Sequence, residues 1–195
     1  MPASRPAPSP PNTTGYALLG LLSLRPWTTY ELAQQVRRSL SWFWPRTERK
    51  IYDEPKRLVA AGLATAREEF TGRRRRTVYS ITDAGRDRLA QWLRGPSAPP
   101  SYESEALVRV FFADAGDLPA LRATLTGIEE GARARLAELE EMAAGAHPFP
   151  ERRHISALAM RFQQDQERTT IRWATWARAE VERWRATDDP GVTYP

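Results

Sequence analysis

One stretch, residues 47–82, narrows the folds open to this chain more than any other. A helix-length segment, Thr47–Ala61, ends at Gly62-Leu63. A strand-like run follows (Thr65–Phe70), then a Thr71-Gly72 turn, then Arg73-Arg74-Arg75-Arg76, then a second strand-like run, Thr77–Ile81. The order predicts helix, strand, basic hairpin tip, strand. A self-contained core has no use for four adjacent arginines at a hairpin tip. A polyanion does, because Arg forks fit phosphate oxygens and can enter a narrow minor groove. The plainer alternative for the same run is a solvated charged turn.

Charge is spread unevenly along the 195 residues. Residues 1–95 hold 17 Lys+Arg against 8 Asp+Glu, whereas residues 96–195 hold 12 against 16. A basic front half and a mildly acidic back half predict a polyanion-binding part joined to a part with another task. There is no cysteine, which removes disulfides and thiol chemistry and fits a reducing cytoplasm. No apolar run reaches the ~18–20 residues of a membrane span. Met1–Pro11 is proline-rich without an apolar stretch, so it predicts an extended tail and no signal peptide.

Ahead of the hairpin, Gly15–Leu24 is nearly all apolar and predicts a buried helix stopped by Arg25-Pro26. Thr28 and Glu31 have capping-box spacing and open a second helix whose Leu32, Ala33, Val36 and Leu40 share a face. Ser41–Pro45 is an aromatic connector. Thr47 is expected to cap the third helix, with Ile51, Leu58 and Val59 inward and Arg49, Lys50, Asp53, Lys56 and Arg57 outward. Pro55 predicts a kink near Ile51–Pro55 or an irregular first turn, since it removes one donor and clashes one turn back, at about 3 kcal/mol. After the hairpin, Thr82 caps a fourth helix with Leu89, Trp92 and Leu93 as its apolar stripe. Gly95–Pro100 is rich in Pro, Gly and Ser and reads as a boundary.

The second half predicts helix only. Glu103–Ala113 is followed by Leu118–Ala144, capped by Asp117, with Leu118, Leu125, Ala132 and Leu139 seven residues apart. Glu151–Ala186 is read as one long helix with Ile155, Leu158, Ala159, Phe162, Thr169, Trp173, Trp176, Val181 and Trp184 along one side. Such striped helices exceed what a small first domain covers, so a second copy of the chain is the expected partner. The predicted divisions are a disordered tail (1–13), a first domain (14–94), a linker (95–101), a helical dimerisation domain (102–186) and a flexible tail (187–195).

Three helices and a two-stranded hairpin are the order of a winged helix-turn-helix, whose third helix enters the major groove. The predicted class is mainly α, with α+β character in the winged helix. At this point the residues resemble a known family. Tyr16–Leu22, Thr29-Tyr30-Glu31-Leu32, Ile51-Tyr52, Lys56-Arg57-Leu58, Gly62-Leu63 and Tyr79–Arg86 look like the PadR family of transcriptional regulators, the phenolic-acid repressors and their relatives. The likeness covers residues 15–94 well, and residues 103–185 with weaker motifs. It implies a homodimeric cytoplasmic repressor on an inverted-repeat operator, with the C-terminal helices making the dimer. Many relatives release DNA when a small aromatic compound or drug binds. Pro55 departs from the family pattern, which more usually has leucine or another helix former there.

The candidate DNA-binding residues are Thr47, Arg49, Lys50, Tyr52, Lys56, Arg57 and Arg73, Arg74, Arg75 and Arg76. Arg49 is the choice for a guanine edge, with phosphate contact as its alternative. Lys56 and Arg57 have solvation as theirs. The tryptophans allow two readings. Trp92, Phe162, Trp173 and Trp176 could line a site for an aromatic effector, through stacking and cation–π contacts. Helical spacing instead favours dimer core, and the expected interface set is Leu118, Leu121, Leu125, Ile128, Ile155, Leu158, Phe162, Trp176 and Trp184.

His147 and His154 lack a convincing second ligand, so no metal and no cofactor are expected. Nucleophile elbows, phosphate loops and zinc motifs are missing, which argues against an enzyme. The leading expectation is a dimeric, effector-released repressor that binds double-stranded DNA. The rival from another class is a winged-helix module that docks an acidic protein surface without sequence-specific DNA binding.

Overall fold

The computed structural model describes residues 10–44, 48–72, 74–189 and 191. Two compact units make up the chain, Met1–Pro99 and Pro100–Pro195. The first carries helices α1 (Thr13–Leu22), α2 (Thr29–Ser39), α3 (Glu48–Ala60) and α4 (Asp83–Arg94) with strands β1 (Trp27–Thr28), β2 (Ala64–Thr71) and β3 (Arg74–Ile81). The strands form an antiparallel sheet in the order β1-β3-β2.

Helix α1 begins two residues ahead of its expected start, because the Asn12 side chain accepts from the Gly15 amide. It is apolar nearly all round, and Leu18, Leu19 and Leu22 are fully buried at the centre of the unit. The Thr28–Glu31 capping box forms as expected and opens α2. Just before it, Trp27 is buried, donates its indole N–H to the Leu21 carbonyl at 2.7 Å, and carries the Arg25 guanidinium 3.5 Å from its ring centre. Two-residue β1 was not foreseen. It pairs Trp27 with Tyr79 and Thr28 with Val78.

Helix α3 runs without interruption from Glu48 to Ala60, so Pro55 does not end it. Its ring is fully buried, and that apolar contact offsets part of the missing hydrogen bond. At the other end, Gly62 takes φ +72°, its amide donates to the Val59 carbonyl, and the Leu63 amide donates to that of Leu58. These two bonds are the Schellman closure expected of a glycine at that position. The Thr82 hydroxyl then donates to the Gly62 carbonyl at 2.8 Å and accepts from the Gly85 amide, capping α4. Gly85 packs so closely that a Cβ there would sit 2.1 Å from the Leu63 carbonyl oxygen. On α4, Trp92 stacks on Tyr16 with ring centres 4.7 Å apart. Leu93, expected in the same stripe, is instead exposed.

The second unit holds α5 (Glu105–Phe111), α6 (Leu118–Ala144) and α7 (Arg153–Val181). Helix α7 starts after, and stops before, the bounds expected for it. Pro150–Arg152 is a short 3-10 turn, and the C-terminal side closes with Thr187 donating to the Gly116 carbonyl and Ala186 to that of Asp189. Residues 186–189 thus make hydrogen bonds within this unit beyond the end of α7.

Helices α6 and α7 pack antiparallel, as cross-helix pairs Glu129–Arg178 and Glu140–Arg168 show. Leu121, Leu125, Ala132 and Leu139 of α6 are buried, and α7 meets them with Gln163, Ala174, Ala177 and Val181. Small residues on α7 admit the leucines of α6 at close range. Between the helices lies Glu129, buried, accepting from Arg133 at 2.6 Å, Arg178 at 2.8 Å and Thr175 at 3.1 Å. Arg133 first, then Arg178, hold its carboxyl down at about 2 from an ordinary 4.5.

Two outcomes follow. Gly85→Ala drives a methyl into a backbone carbonyl, so chemical denaturation of the variant will show a loss of about 3 kcal/mol. A loss under a third of that would mean the junction has slack. For Glu129 the folded pKa is depressed, so its stabilisation is complete above about pH 4.5 and fades as pH falls toward about 2. Thermal melts between pH 6 and 2 will show wild type weakening more steeply than Glu129→Gln across that window, and parallel curves would exclude this carboxylate.

Candidate nucleic-acid interface

Helix α3 has two faces. Ile51, Glu54, Pro55 and Leu58 are buried, which is a strip of i, i+3, i+4 and i+7 spacing. Tyr52, Asp53, Lys56, Arg57 and Ala60 lie on the exposed side. Tyr52 is 37% exposed. Arg49 and Lys50 occupy the first turn of the helix. Thr47 lies outside the described residues.

Glu54 is the unexpected member of the buried strip. Its carboxylate lies against α1, where a Cβ on Gly15 would come within 2.7 Å of Oε1. Its Oε2 is 3.5 Å from Arg57 Nη1. Arg57 is therefore tethered at one side and open at the other, not only solvated. No pattern of charge marked this acid as buried.

In the hairpin, β2 and β3 pair from Ala64↔Ile81 to Thr71↔Arg74. The turn is thus two residues long, and Gly72, at φ +61°, supplies the positive dihedral that such a turn requires. This corrects the expected placement of the arginine run. Arg74, Arg75 and Arg76 belong to β3, and Arg73 of the turn lies outside the described residues. Strand alternation separates the described pair. Arg76 stands opposite Glu69 on the outer face, and Arg75 stands opposite Phe70 on the face that carries Tyr79.

Carboxylates meet both guanidiniums. Arg76 donates to Glu69 at 3.0 Å, and Arg75 lies 3.2 Å from Glu68. Arg67, two residues before Glu69 on the same face, donates to the other Glu69 oxygen at 2.5 Å. All three arginines remain substantially exposed. Arg67 was absent from the expected set. The signal for it was present as the run Arg67-Glu68-Glu69, whose charges mirror those on the opposing strand.

The effector and dimer candidates scatter. Trp92 sits in the first unit, stacked on Tyr16. Trp173 packs half-buried on the Leu121–Leu125–Ala177–Val181 cluster of the second unit, alongside Leu118, Ile128 and Trp184. Phe162 and Trp176 point away from that core and are 60% and 56% exposed. Leu121 and Leu125, expected at a seam between chains, are 4% and 1% exposed within one chain. The first-named helix spends those leucines on its own neighbour and leaves no surface of them for a partner. Ile155 and Leu158 are exposed on α7. The strip around α5, from Tyr102 to Phe112, forms an open groove of about 510 Å³ lined by Leu107, Val108 and Phe111.

Among the described residues no group of three or more His, Asp or Glu side chains is arranged to hold a metal ion. His147 uses Nδ1 to accept from the Phe149 amide. Among the same residues, no helix is long and apolar enough to cross a membrane.

The arrangement has counterparts among known proteins. Residues 104–182 match the virulence activator alpha C-terminal family, and residues 18–91 match the transcriptional regulator PadR-like family. The negative transcriptional regulator PadR of Bacillus subtilis is 30% identical over 99 residues, or 50% of this chain and 54% of that protein. The "Probable transcriptional regulator Rv1176c" of Mycobacterium tuberculosis is 29% identical over 124 residues, 58% of this chain and 66% of that one. The matched stretches thus span between half and two thirds of these relatives.

In solved structures, Bacillus subtilis PadR in complex with operator DNA gives a TM-score of 0.76 at 23% identity, covering 87% of this chain and 99% of that one. The structure of that protein with p-coumaric acid gives 0.70 at 23%, covering 88% and 99%. The Vibrio cholerae virulence activator AphA gives 0.67 at 26%, covering 87% and 98%. With the helix order, the hairpin and the glycine closure all in place, residues 18–91 are a domain of the PadR-like family of transcriptional regulators.

Proposed function

We propose that this chain is a homodimeric repressor that binds duplex DNA through paired winged helices and is released by a small aromatic effector. The carrying observation is that the exposed side of α3 and the arginines of the hairpin belong to one unit. Lys56 and Arg57 stand open on the helix, and Arg67, Arg75 and Arg76 stand open on the wing. In this reading the N-terminal side of α3, with Thr47, Arg49 and Lys50, addresses base edges in the major groove. Tyr52 donates its hydroxyl to a phosphate. Lys56, Arg57 and Arg73–Arg76 contact phosphates, which set register and carry no base information.

Dimerisation is supported by the outer face of α7. Ile155, Leu158, Phe162 and Trp176 are all half exposed or more, and such a stripe on a long helix is the surface a second α7 covers. Repression has support in the Bacillus subtilis relative, a negative regulator. Effector release has support in the same protein's structure with p-coumaric acid, a flat aromatic acid. Phe162 and Trp176 offer flat rings of matching chemistry. An effector that shifted the paired α7 helices would change the separation of two α3 helices, which must match half-sites about one helical turn apart.

The primary test is selection of genomic fragments by the purified protein, with sedimentation at micromolar concentration. An inverted repeat and a dimer are expected. Weak binding without preferred sequence would favour the protein-docking rival. Leu158→Asp/Phe162→Asp will keep helical content, because both residues are exposed in the single chain, yet sediment as a monomer. Its operator affinity will fall by about 10²–10⁴ as the second half-site is lost. Arg75→Ala/Arg76→Ala will flatten the salt dependence by about 0.9 per phosphate contact removed, and an unchanged slope would take the wing out of the mechanism.

A further inference from the structure

The hairpin sets two carboxylates, Glu68 and Glu69, against the guanidiniums of Arg67, Arg75 and Arg76. Glu69 lies between two guanidiniums on the outer face, one oxygen toward Arg67 and the other toward Arg76. Two oxygens of one anion bridging two forks is the geometry of a phosphate's non-bridging oxygens. Arg67 first, then Arg76, hold the Glu69 carboxyl below the usual carboxylate range, so it is ionised at neutral pH. Among the described side chains, this face therefore sets two positive charges around one fixed negative charge. On the opposite face Glu68 does the same to Arg75.

We propose that Glu69 is a built-in phosphate competitor that sets the wing's affinity for DNA, and that Arg67 is a phosphate-binding residue whose charge it offsets. The inference rests on the DNA-binding reading above. A phosphate approaching Arg67 and Arg76 meets a carboxylate already seated between them. Either the carboxylate yields its place, or the phosphate binds against its repulsion. Both routes subtract from the sequence-independent part of binding, which every stretch of duplex offers equally. Trimming that part shortens residence on random DNA without altering any contact to a base. Removing Glu69 also loosens the two side chains, but exposed ion pairs hold geometry weakly. The gain of one net positive charge dominates.

The experiment uses the full chain, titrated by fluorescence anisotropy against a selected genomic fragment and a mixed-sequence duplex of equal length. Salt is varied from 0.05 to about 0.3 M, a range over which counterion release dominates. Glu69→Gln is expected to steepen the log–log salt slope by about 0.9 for both duplexes, and to tighten both about eightfold at 0.1 M salt. The ratio between the two duplexes should hold within about twofold, since phosphates carry no sequence information. Arg67→Gln should flatten the slope by about the same amount, and Arg67→Gln/Glu69→Gln should return it to wild type. Circular dichroism melts confirm that each variant keeps its fold.

If wild type binds both duplexes but Glu69→Gln binds them equally or more weakly, Glu69 is only a hairpin staple and the proposal is overturned. If Arg67→Gln leaves the slope untouched, the assignment of Arg67 falls. Should wild type bind neither duplex, the DNA-binding reading fails first and takes this one with it.

Discussion

Everything in the first unit hangs on one close approach. Gly85, without a side chain, lets the start of α4 press against the Leu63 carbonyl. Thr82 ties the same point to Gly62 through its hydroxyl and to Leu63 through its amide. Three segments meet there: the end of α3, the start of β2 and the end of β3. The hairpin cannot tilt relative to α3 without breaking these bonds. A winged helix needs this rigidity, because helix and wing must meet one duplex together. The left-handed Gly62 and the missing side chain of Gly85 are two parts of a single joint.

The second unit solves a different problem with one helix pair. Helix α7 presents small residues, Ala174 and Ala177, toward α6 and leaves Ile155, Leu158, Phe162 and Trp176 on the outside. Glu129 adds a polar anchor where two arginines and a threonine converge. A buried acid with three partners penalises sliding of one helix along the other, since a slip of one turn would strand the charge.

Much of this was readable beforehand, and the failures share a cause. The Thr28–Glu31 box, the Thr82 and Asp117 caps and the Gly62 closure are local devices, so spacing alone exposed them. The fold class followed from their order. What spacing could not decide was the choice between partners of equal chemistry. A seven-residue leucine repeat looks the same whether the neighbour is another chain or the next helix, and Leu121 and Leu125 went to the next helix. Four arginines after a glycine look like a tip. Only the ladder, which closes at Thr71↔Arg74, showed that β3 begins at Arg74. The stacking of Trp92 on Tyr16, 76 residues away in the chain, is a contact that spacing could not foretell. Pro55 lies inside an unbroken α3, with a fully buried ring that propensity alone does not count. For Arg49, Lys50 and the turn, position is known by element and role by proposal alone.

The pairing of Arg75 and Arg76 with successive partners on β2 has a consequence for register. Neighbours on a strand look to opposite sides, so this wing meets its surroundings with cations left and right, like a blade sharpened on both edges. A slip of one residue in the register between β2 and β3 would leave every helix untouched, yet exchange the two sides.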